Sequence, residues 1–313
     1  MANKKRMIFV AVAILTVVVL ATVGGSFYML DFALAPEENR SDTAVCYQRL
    51  FETYPEMRPW VDSLRSKEAL RDTFVTMPTG ERHHALYVNK GSKRTAVIVH
   101  GWRDCCIDFL YLARLYEKLM GYNVVMPDLH ASGLSEGENI QMGWLDRLDV
   151  LHWLTIFQTD TMVVHGVSMG AATTMMLSAE RLPKAVKDIH FVADCGYTSA
   201  WDEFTYKLGE MKVPAHPLIE VVNAVNKVVA GYDFKKDTSA IEAVKRSKTP
   251  TLFVHGDADA FVPTKMVYEV YDACACPDKD ILIVHGADHA ASFITDQPAY
   301  EAKLDAFIEK YVK

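Results

Sequence analysis

The sequence has no excess of basic residues. It carries 33 Lys and Arg against 40 Asp and Glu, for a net charge of -7. A protein that binds nucleic acid through the phosphate backbone presents a basic stripe or patch. The basic runs of this chain are brief, so the sequence argues against nucleic acid as a partner.

The six cysteines form no C-x-x-C pair and stand at no zinc-finger spacing from a histidine. The histidines also lack metal-like spacing from each other and from carboxylates. The sequence therefore predicts no metal site. Disulfides are possible in an exported protein, but their pairing cannot be assigned and they would not form a dense framework. We expect most of these residues to be small buried apolar side chains: Cys46, Cys105, Cys106, Cys195, Cys274 and Cys276.

Glycine and proline are not in excess, and the chain shows no internal repeat. Half of the residues are hydrophobic and 23% are charged, a composition that excludes a disordered chain. The roughly 280 residues after the N-terminal segment are enough to bury one large core. We expect a single folded domain there.

The N-terminus contains a long uncharged run. Lys4, Lys5 and Arg6 precede residues 7–30, which carry no charge. A membrane-spanning helix needs about 20 apolar residues, and positive residues flank its cytoplasmic side. Residues 1–34 therefore predict a signal anchor that holds the rest of the chain outside the cytoplasm. A secretory signal peptide cleaved at the weak site within 21–26, or a buried core helix, are the alternatives.

The remainder of the chain divides into a connector and an alternation of strands and helices. Residues 35–72 are polar and helix-prone, and we expect them to pack on the domain that follows. From residue 73 onward, short β-rich runs alternate with helical patterns, such as 107–120 and 263–273, which predicts a largely parallel sheet with flanking helices. Eight strands are predicted, at 73–77, 85–88, 95–99, 123–126, 162–167, 189–193, 251–255 and 281–285.

The longest gap between predicted strands, residues 196–249, predicts a helical cap. It includes six apolar residues at helical spacing, followed by Gly231, which predict an amphipathic helix. Two interpretations are open: the helix packs on the domain, or the insertion roofs a ligand pocket. The six residues are Leu218, Val221, Val222, Val225, Val228 and Val229.

A G-x-S-x-G pentapeptide occurs twice, around Ser168 and around Ser135. A nucleophile elbow requires a buried strand that leads directly into a helix, so that the serine is exposed on a sharp turn. Only Ser168 has that context, because residues 162–165 are strand-like and 171–174 are small residues that open a helix. We interpret the Ser135 copy as a loop at the rim of the site or a simple surface turn.

A serine hydroxyl needs a base to remove its proton and a carboxylate to orient that base. Asp259 follows the predicted strand 251–255, and His289 follows the strand 281–285. This acid-then-base order after the serine is that of α/β hydrolases. Asp194, at the end of the sixth predicted strand, is the alternative acid.

The strings His255-Gly256-x-x-Asp259 and Gly286-x-x-His289, together with the elbow, resemble the α/β-hydrolase superfamily from about Thr73 to the C-terminus. The similarity is to bacterial membrane-anchored esterases and prolyl-oligopeptidase-like hydrolases. It implies the α/β-hydrolase fold and an oxyanion-hole backbone N–H after the third strand, here at Trp102. The second N–H is that of Met169, directly after the nucleophile.

The resemblance implies an esterase in which Ser168 attacks the carbonyl of a small-molecule acyl substrate, without a metal or organic cofactor. Peptide or amide cleavage is the first alternative, and thioester hydrolysis or acyl transfer the second. A non-catalytic, membrane-tethered binding protein on the same fold is the alternative from another class.

Overall fold

The computed structural model describes residues 2–311, in which eight strands form one sheet in the order β1-β2-β4-β3-β5-β6-β7-β8. β1 pairs antiparallel with β2 and β2 with β4, whereas all other neighbours are parallel. The strands are β1 (Leu70–Thr76), β2 (Arg82–Val88), β3 (Arg94–Val99), β4 (Asn123–Pro127), β5 (Thr161–Val167), β6 (Asp188–Asp194), β7 (Thr251–Gly256) and β8 (Lys279–Val284).

All eight predicted strands are present, so the predicted mostly parallel eight-stranded sheet is confirmed. β1 and β2 each begin three residues before the predicted start, and β1 therefore begins inside the predicted connector 35–72. β2 begins earlier than predicted because His83 and His84, although polar, are buried in the strand. His84 Nδ1 lies 2.7 Å from Asp128 Oδ2, which gives the buried ring a polar partner that sequence periodicity does not show.

Helices cover both faces of the sheet. The residues of β3 show the arrangement: Val97 and Val99 face one core cluster, whereas Ala96 and Ile98 face the other. The helices are α1 (Ala2–Leu34), α2 (Thr43–Thr53), α3 (Met57–Ser66), α4 (Leu110–Arg114), α5 (Asp146–Ile156), α6 (Met169–Leu177), α7 (Ala200–Glu210), α8 (Leu218–Val229), α9 (Ala240–Val244), α10 (Lys265–Ala273), α11 (Ser292–Thr295) and α12 (Gln297–Tyr311).

Three predicted helices differ in detail. The helix predicted at 107–120 is instead a 3-10 turn (Cys106–Phe109), α4 and a π-helical turn (Leu115–Leu119). The helix predicted at 263–273 begins at Lys265, after Pro263. In α8 the apolar pattern ends early, because Val228 and Val229 are 86% and 63% exposed.

The predicted cap and connector are helical. α7, α8 and α9 lie between β6 and β7, in the predicted cap 196–249. α2 and α3 of the predicted connector bury Leu50, Met57 and Val61 in the core cluster on one face of the sheet. The connector therefore contributes to the core of the domain.

α1 is the one helix among residues 2–311 that is long and apolar enough to cross a membrane. Its side chains are exposed from residue 4 to 21, whereas its last third is partly buried and contacts α8. The carbonyl oxygens at a helix C-terminus have no partner within the helix. Here those of Phe32, Ala33 and Leu34 accept hydrogen bonds from Arg103, Trp102 and the backbone of Ile140. The end of α1 is thus bonded into the folded domain.

Candidate active site

Ser168 lies on the sharp turn between β5 and α6, with φ 57° and ψ -119°. A positive φ is strained for a residue with a side chain and is found where the surrounding structure enforces it. The two glycines of the pentapeptide allow the turn, because a Cβ at Gly166 would overlap the Gly170 carbonyl and one at Gly170 would overlap the Val99 carbonyl. The strand-turn-helix context expected for a nucleophile elbow is therefore present at Ser168.

The structure brings the three predicted catalytic side chains into one hydrogen-bonded chain at the carboxyl ends of the strands. Ser168 Oγ lies 2.8 Å from His289 Nε2. His289 Nδ1 lies 2.8 Å from Asp259 Oδ2. Ser168 follows β5, Asp259 follows β7 and His289 follows β8. This geometry presents the basic nitrogen of an imidazole to the serine hydroxyl.

The surroundings of Asp259 favour its ionised form. Burial by itself raises the pKa of a carboxyl group, but hydrogen bonds from His255 and His289 outweigh burial and lower the pKa of Asp259. Asp259 Oδ1 also accepts the backbone N–H groups of Phe261 and Val262, each at 2.8 Å. An ionised Asp259 holds the proton of His289 on Nδ1, which leaves Nε2 free to accept the proton of Ser168.

The alternative acid, Asp194, has a different partner. Its Oδ2 accepts a hydrogen bond from the Tyr300 hydroxyl at 2.9 Å, and burial raises its pKa. Its backbone carbonyl accepts the N–H of Ser168 at 2.8 Å. Asp194 therefore supports the back of the turn, whereas Asp259 contacts His289.

The second pentapeptide is neither a rim loop nor a simple surface turn. Ser135 is buried, and its hydroxyl donates to the Asp128 carbonyl at 2.7 Å and accepts the N–H of His84 at 2.9 Å. A Cβ on Gly133 would overlap the Asp128 carboxylate. These small residues let a buried loop pack against the ends of β2 and β4.

The two predicted oxyanion donors line the same cavity as Ser168. The backbone N–H groups of Trp102 and Met169 donate no hydrogen bond to another group within residues 2–311. A Cβ added to Gly101 would lie 3.4 Å from the Cβ of Ser168, so the loop after β3 passes directly beside the serine. His100 holds this loop, because its Nε2 accepts the N–H of Leu129 at 2.9 Å and its Nδ1 lies 2.8 Å from the Gly101 carbonyl.

The cavity above Ser168 has a volume of about 150 Å³ and mostly apolar walls. One wall comes from the cap, including Phe204, Leu208 and Val222. Residues of the last part of α1, from Tyr28 to Ala33, also line it. Among residues 2–311, the charged side chains that line the cavity are Glu203 and Lys207.

Sequence reasoning did not identify Glu203 or the α1 wall. Glu203 is 4% exposed, and neither of its carboxyl oxygens has a hydrogen-bond partner within residues 2–311. Burial raises its pKa to about 8, although Lys207 acts in the opposite direction. Glu203 belongs to no motif, whereas the small residues Gly24, Gly25 and Ser26 in the apolar run could have indicated close packing of α1.

Three groups of His, Cys and Asp side chains lie close enough to share an ion, with ligand atoms within 4.8 Å of one another. One of them is the pair Asp259 and His289 with Cys195. In each group the carboxylate already accepts hydrogen bonds, as Asp128 does from the Cys106 N–H at 2.7 Å and Asp108 from Arg49 at 2.7 Å. All six cysteines are buried and none is in a disulfide.

The strand order and the elbow after β5 define an α/β-hydrolase, and this chain has that fold. Residues 118–313, well over half of the chain, match the model of the prolyl oligopeptidase family. The chain belongs to this family and is a hydrolase of the α/β-hydrolase type.

A curated relative is the uncharacterized protein YqkD of Bacillus subtilis (strain 168), 24% identical over 221 residues, which are 69% of this chain and 71% of the relative. The esterase Pf2001 of Pyrococcus furiosus superposes with a TM-score of 0.61 at 19% identity and covers 78% of this chain and 93% of its own. A putative hydrolase from Agrobacterium vitis S4 superposes with a TM-score of 0.59 at 16% identity, over 76% of this chain and 99% of its own. At these identities the structures establish the fold alone.

Proposed function

We propose that the chain is a serine hydrolase that cleaves a carboxylic ester through an acyl-enzyme on Ser168. Ser168 Oγ attacks the ester carbonyl while His289 takes its proton, and the oxyanion accepts the N–H groups of Trp102 and Met169. His289 then gives the proton to the departing alkoxide. Water, deprotonated by His289, attacks the acyl carbon, and the acid leaves as Ser168 recovers its proton.

The hydrogen-bonded chain from Ser168 through His289 to Asp259 carries this proposal. A nucleophile, a base and an orienting acid within hydrogen-bond distance of each other are the arrangement that activates a serine. The positive φ of Ser168 adds support, because strained backbone conformations cluster at active sites.

The cavity supports an ester in preference to a peptide. A bound peptide main chain has N–H and carbonyl groups that need polar partners when they lose water. The walls above Ser168 are mostly apolar and suit an acyl chain. The family name favours a peptide or amide bond instead, and cleavage of such a bond is the second candidate function. Thioester hydrolysis and acyl transfer are further alternatives, because they require the same triad.

A substrate panel on the full chain in detergent tests the proposal. It compares 4-nitrophenyl butyrate, a butyryl thioester and an aminoacyl 4-nitroanilide, with Ser168→Ala as the variant. We expect the ester to be cleaved fastest and Ser168→Ala to abolish cleavage. Ser135→Ala, at the other pentapeptide, is the matched control and should keep ester cleavage, because Ser135 does not line the cavity above Ser168.

A folded chain that cleaves none of the three and takes up no fluorophosphonate would instead support the non-catalytic binding protein. Preferential cleavage of the anilide would support the peptidase.

We also propose that α1 anchors the chain in a membrane, with the catalytic domain outside the cytoplasm. The support is that α1 is apolar and exposed from Met7 to Leu20, after the positive cluster at Lys4, Lys5 and Arg6. Positive residues next to a span stay on the cytoplasmic side. A signal peptide cleaved within 21–26, which would release the domain, is the alternative.

A further inference from the structure

α1 has two parts with different surroundings. From residue 4 to 21 every side chain is exposed. From residue 22 the partly or fully buried positions are 22, 25, 26, 29, 30, 33 and 34, which alternate in steps of three and one. This spacing defines one face of a helix, so one face of the last third of α1 packs against the domain.

The contact begins at residue 22, within the last part of the segment that would span a membrane. About 20 apolar residues are needed to cross a bilayer, and Met7 to Ser26 supplies them. At this level α1 already meets the cap, because Leu218, the first residue of α8, lies 4.0 Å from the position of a Cβ on Gly25. The cap therefore lies at the membrane surface in the anchored protein.

The same stretch of α1 then forms a wall of the cavity above Ser168. Tyr28, Met29, Leu30, Phe32 and Ala33 all line it. A helix rises 1.5 Å per residue, so Ala33 is about 10 Å beyond Ser26 along the helix axis. The reactive serine is thus reached through an apolar passage that starts close to the bilayer.

The rim of this passage is apolar and uncovered. Tyr28, Phe32 and Met211 line the cavity and are 71%, 55% and 63% exposed. A contiguous patch of large apolar side chains at a surface marks an interaction site, and aromatic residues are enriched at the level of lipid headgroups. A bilayer adjoining α1 would cover these residues.

We propose that the substrate is a long-chain acyl ester of a membrane lipid, which passes from the bilayer along α1 into the cavity. This inference rests on the proposed serine hydrolase function. Ser168 Oγ bonds to the acyl carbon, the ester C–O bond of the lipid breaks, and the lipid alcohol leaves with the proton from His289. Water then releases the fatty acid, while the acyl chain lies against the α1 wall and the cap.

The test uses the full chain in phosphatidylglycerol vesicles that contain dioleoylglycerol, with oleate release as the readout and soluble 4-nitrophenyl butyrate as the second substrate. Ala33→Phe adds a large side chain to the cavity wall. Ala21→Phe makes the same change on the exposed part of the same helix and is the matched control.

We expect wild type to release oleate from the vesicles. Ala33→Phe should lower oleate release at least tenfold more than it lowers butyrate hydrolysis, because a buried acyl chain needs more of the cavity than a butyryl group does. Ala21→Phe should change neither rate more than twofold. If Ala33→Phe loses both activities, the smaller change Ala33→Val is measured instead. It should likewise lower oleate release more than it lowers butyrate hydrolysis.

Two results would overturn the inference: wild type that hydrolyses butyrate but releases no oleate, or equal losses of both activities in Ala33→Phe and Ala33→Val. The first leaves the proposed serine hydrolase intact. Wild type that cleaves neither substrate and binds no fluorophosphonate would remove the proposed function itself.

Discussion

Asp259 follows β7 and Asp194 is the last residue of the neighbouring strand β6, but their side chains have different neighbours. We expect Asp259→Asn to lower kcat by about 10⁴-fold, because an amide in place of the carboxylate favours the wrong tautomer of His289. Ester hydrolysis under saturating substrate measures this loss. Asp259 acts through His289, which its Oδ2 contacts at 2.8 Å, and not on the bound ester. KM should therefore change little.

Asp194→Asn is the matched control. Asp194 accepts the Tyr300 hydroxyl and does not contact the reacting atoms, so kcat should fall less than tenfold. A larger loss of kcat in Asp194→Asn than in Asp259→Asn would reverse the assignment of the acid.

Glu203 gives the cavity a pH dependence. With its pKa raised to about 8 by burial, the carboxyl group is neutral at pH 7 and ionises as the pH rises. A charge in an apolar cavity disfavours an apolar acyl group, so KM for the ester should rise between pH 7 and 9. Glu203→Gln stays neutral and should show a flat KM, whereas Glu210→Gln, exposed on the same helix, should retain the wild-type profile.

The same shift has a consequence for stability. Because the pKa of Glu203 is higher in the folded chain than its ordinary value of 4.5, the folded state holds a proton that the unfolded state has lost. The contribution of Glu203 to the free energy of unfolding is therefore complete below about pH 4.5 and is lost as the pH rises through about 8.

A flat pH dependence of KM in wild type would show that Glu203 does not titrate in the cavity.

For single residues, the sequence sufficed to predict that Ser168, Asp259 and His289 come together, because each stands in a short motif at the end of a strand. It did not indicate Glu203. A glutamate in a polar-looking helix such as α7 is expected in solvent, and only the packing of the cap over the sheet buries it.

At the scale of elements, α1 and the loop after β3 form one unit. Trp102 Nε1 donates to the Ala33 carbonyl at 2.8 Å, and Arg103 donates to the Phe32 carbonyl at 3.0 Å. The loop that carries a proposed oxyanion donor is therefore bonded to the end of the proposed anchor.

Trp102→Phe tests this link, because it removes the indole N–H and keeps an aromatic ring. One hydrogen bond contributes about 1 kcal/mol, so amide hydrogen exchange in residues 28–36 should become about fivefold faster. Exchange measured by mass spectrometry reports this directly. Trp60→Phe, whose indole donates to Glu117, should leave that segment unchanged; equal protection in Trp102→Phe and wild type would show that the bond does not hold α1.

The sequence predicted α1 as a helix but not as part of the cavity. Hydropathy averages over all faces of a helix, and in a run where almost every residue is apolar a packed stripe leaves no periodic signal. The strands were easier, since β5 and β7 are continuous buried runs. The helix at 107–120 was predicted as continuous because periodicity does not distinguish an α-helix from successive 3-10, α and π turns.

For the whole molecule, the proposed anchor would set the side of the membrane on which the site lies. A membrane-impermeant amine reagent applied to intact cells should label Lys212, which is exposed in the cap, and should not label Lys4 or Lys5. After detergent is added, all three should react. Labelling of Lys4 with protection of Lys212 in intact cells would place the domain on the cytoplasmic side.

The position of a covalent adduct tests directly whether Ser168 is the nucleophile. The full chain is treated with a fluorophosphonate and its peptides are analysed by mass spectrometry. We expect one adduct, on Ser168, formed far more slowly in Asp259→Asn. An adduct on Ser135 or another residue, or none on a folded wild-type chain, would contradict this assignment.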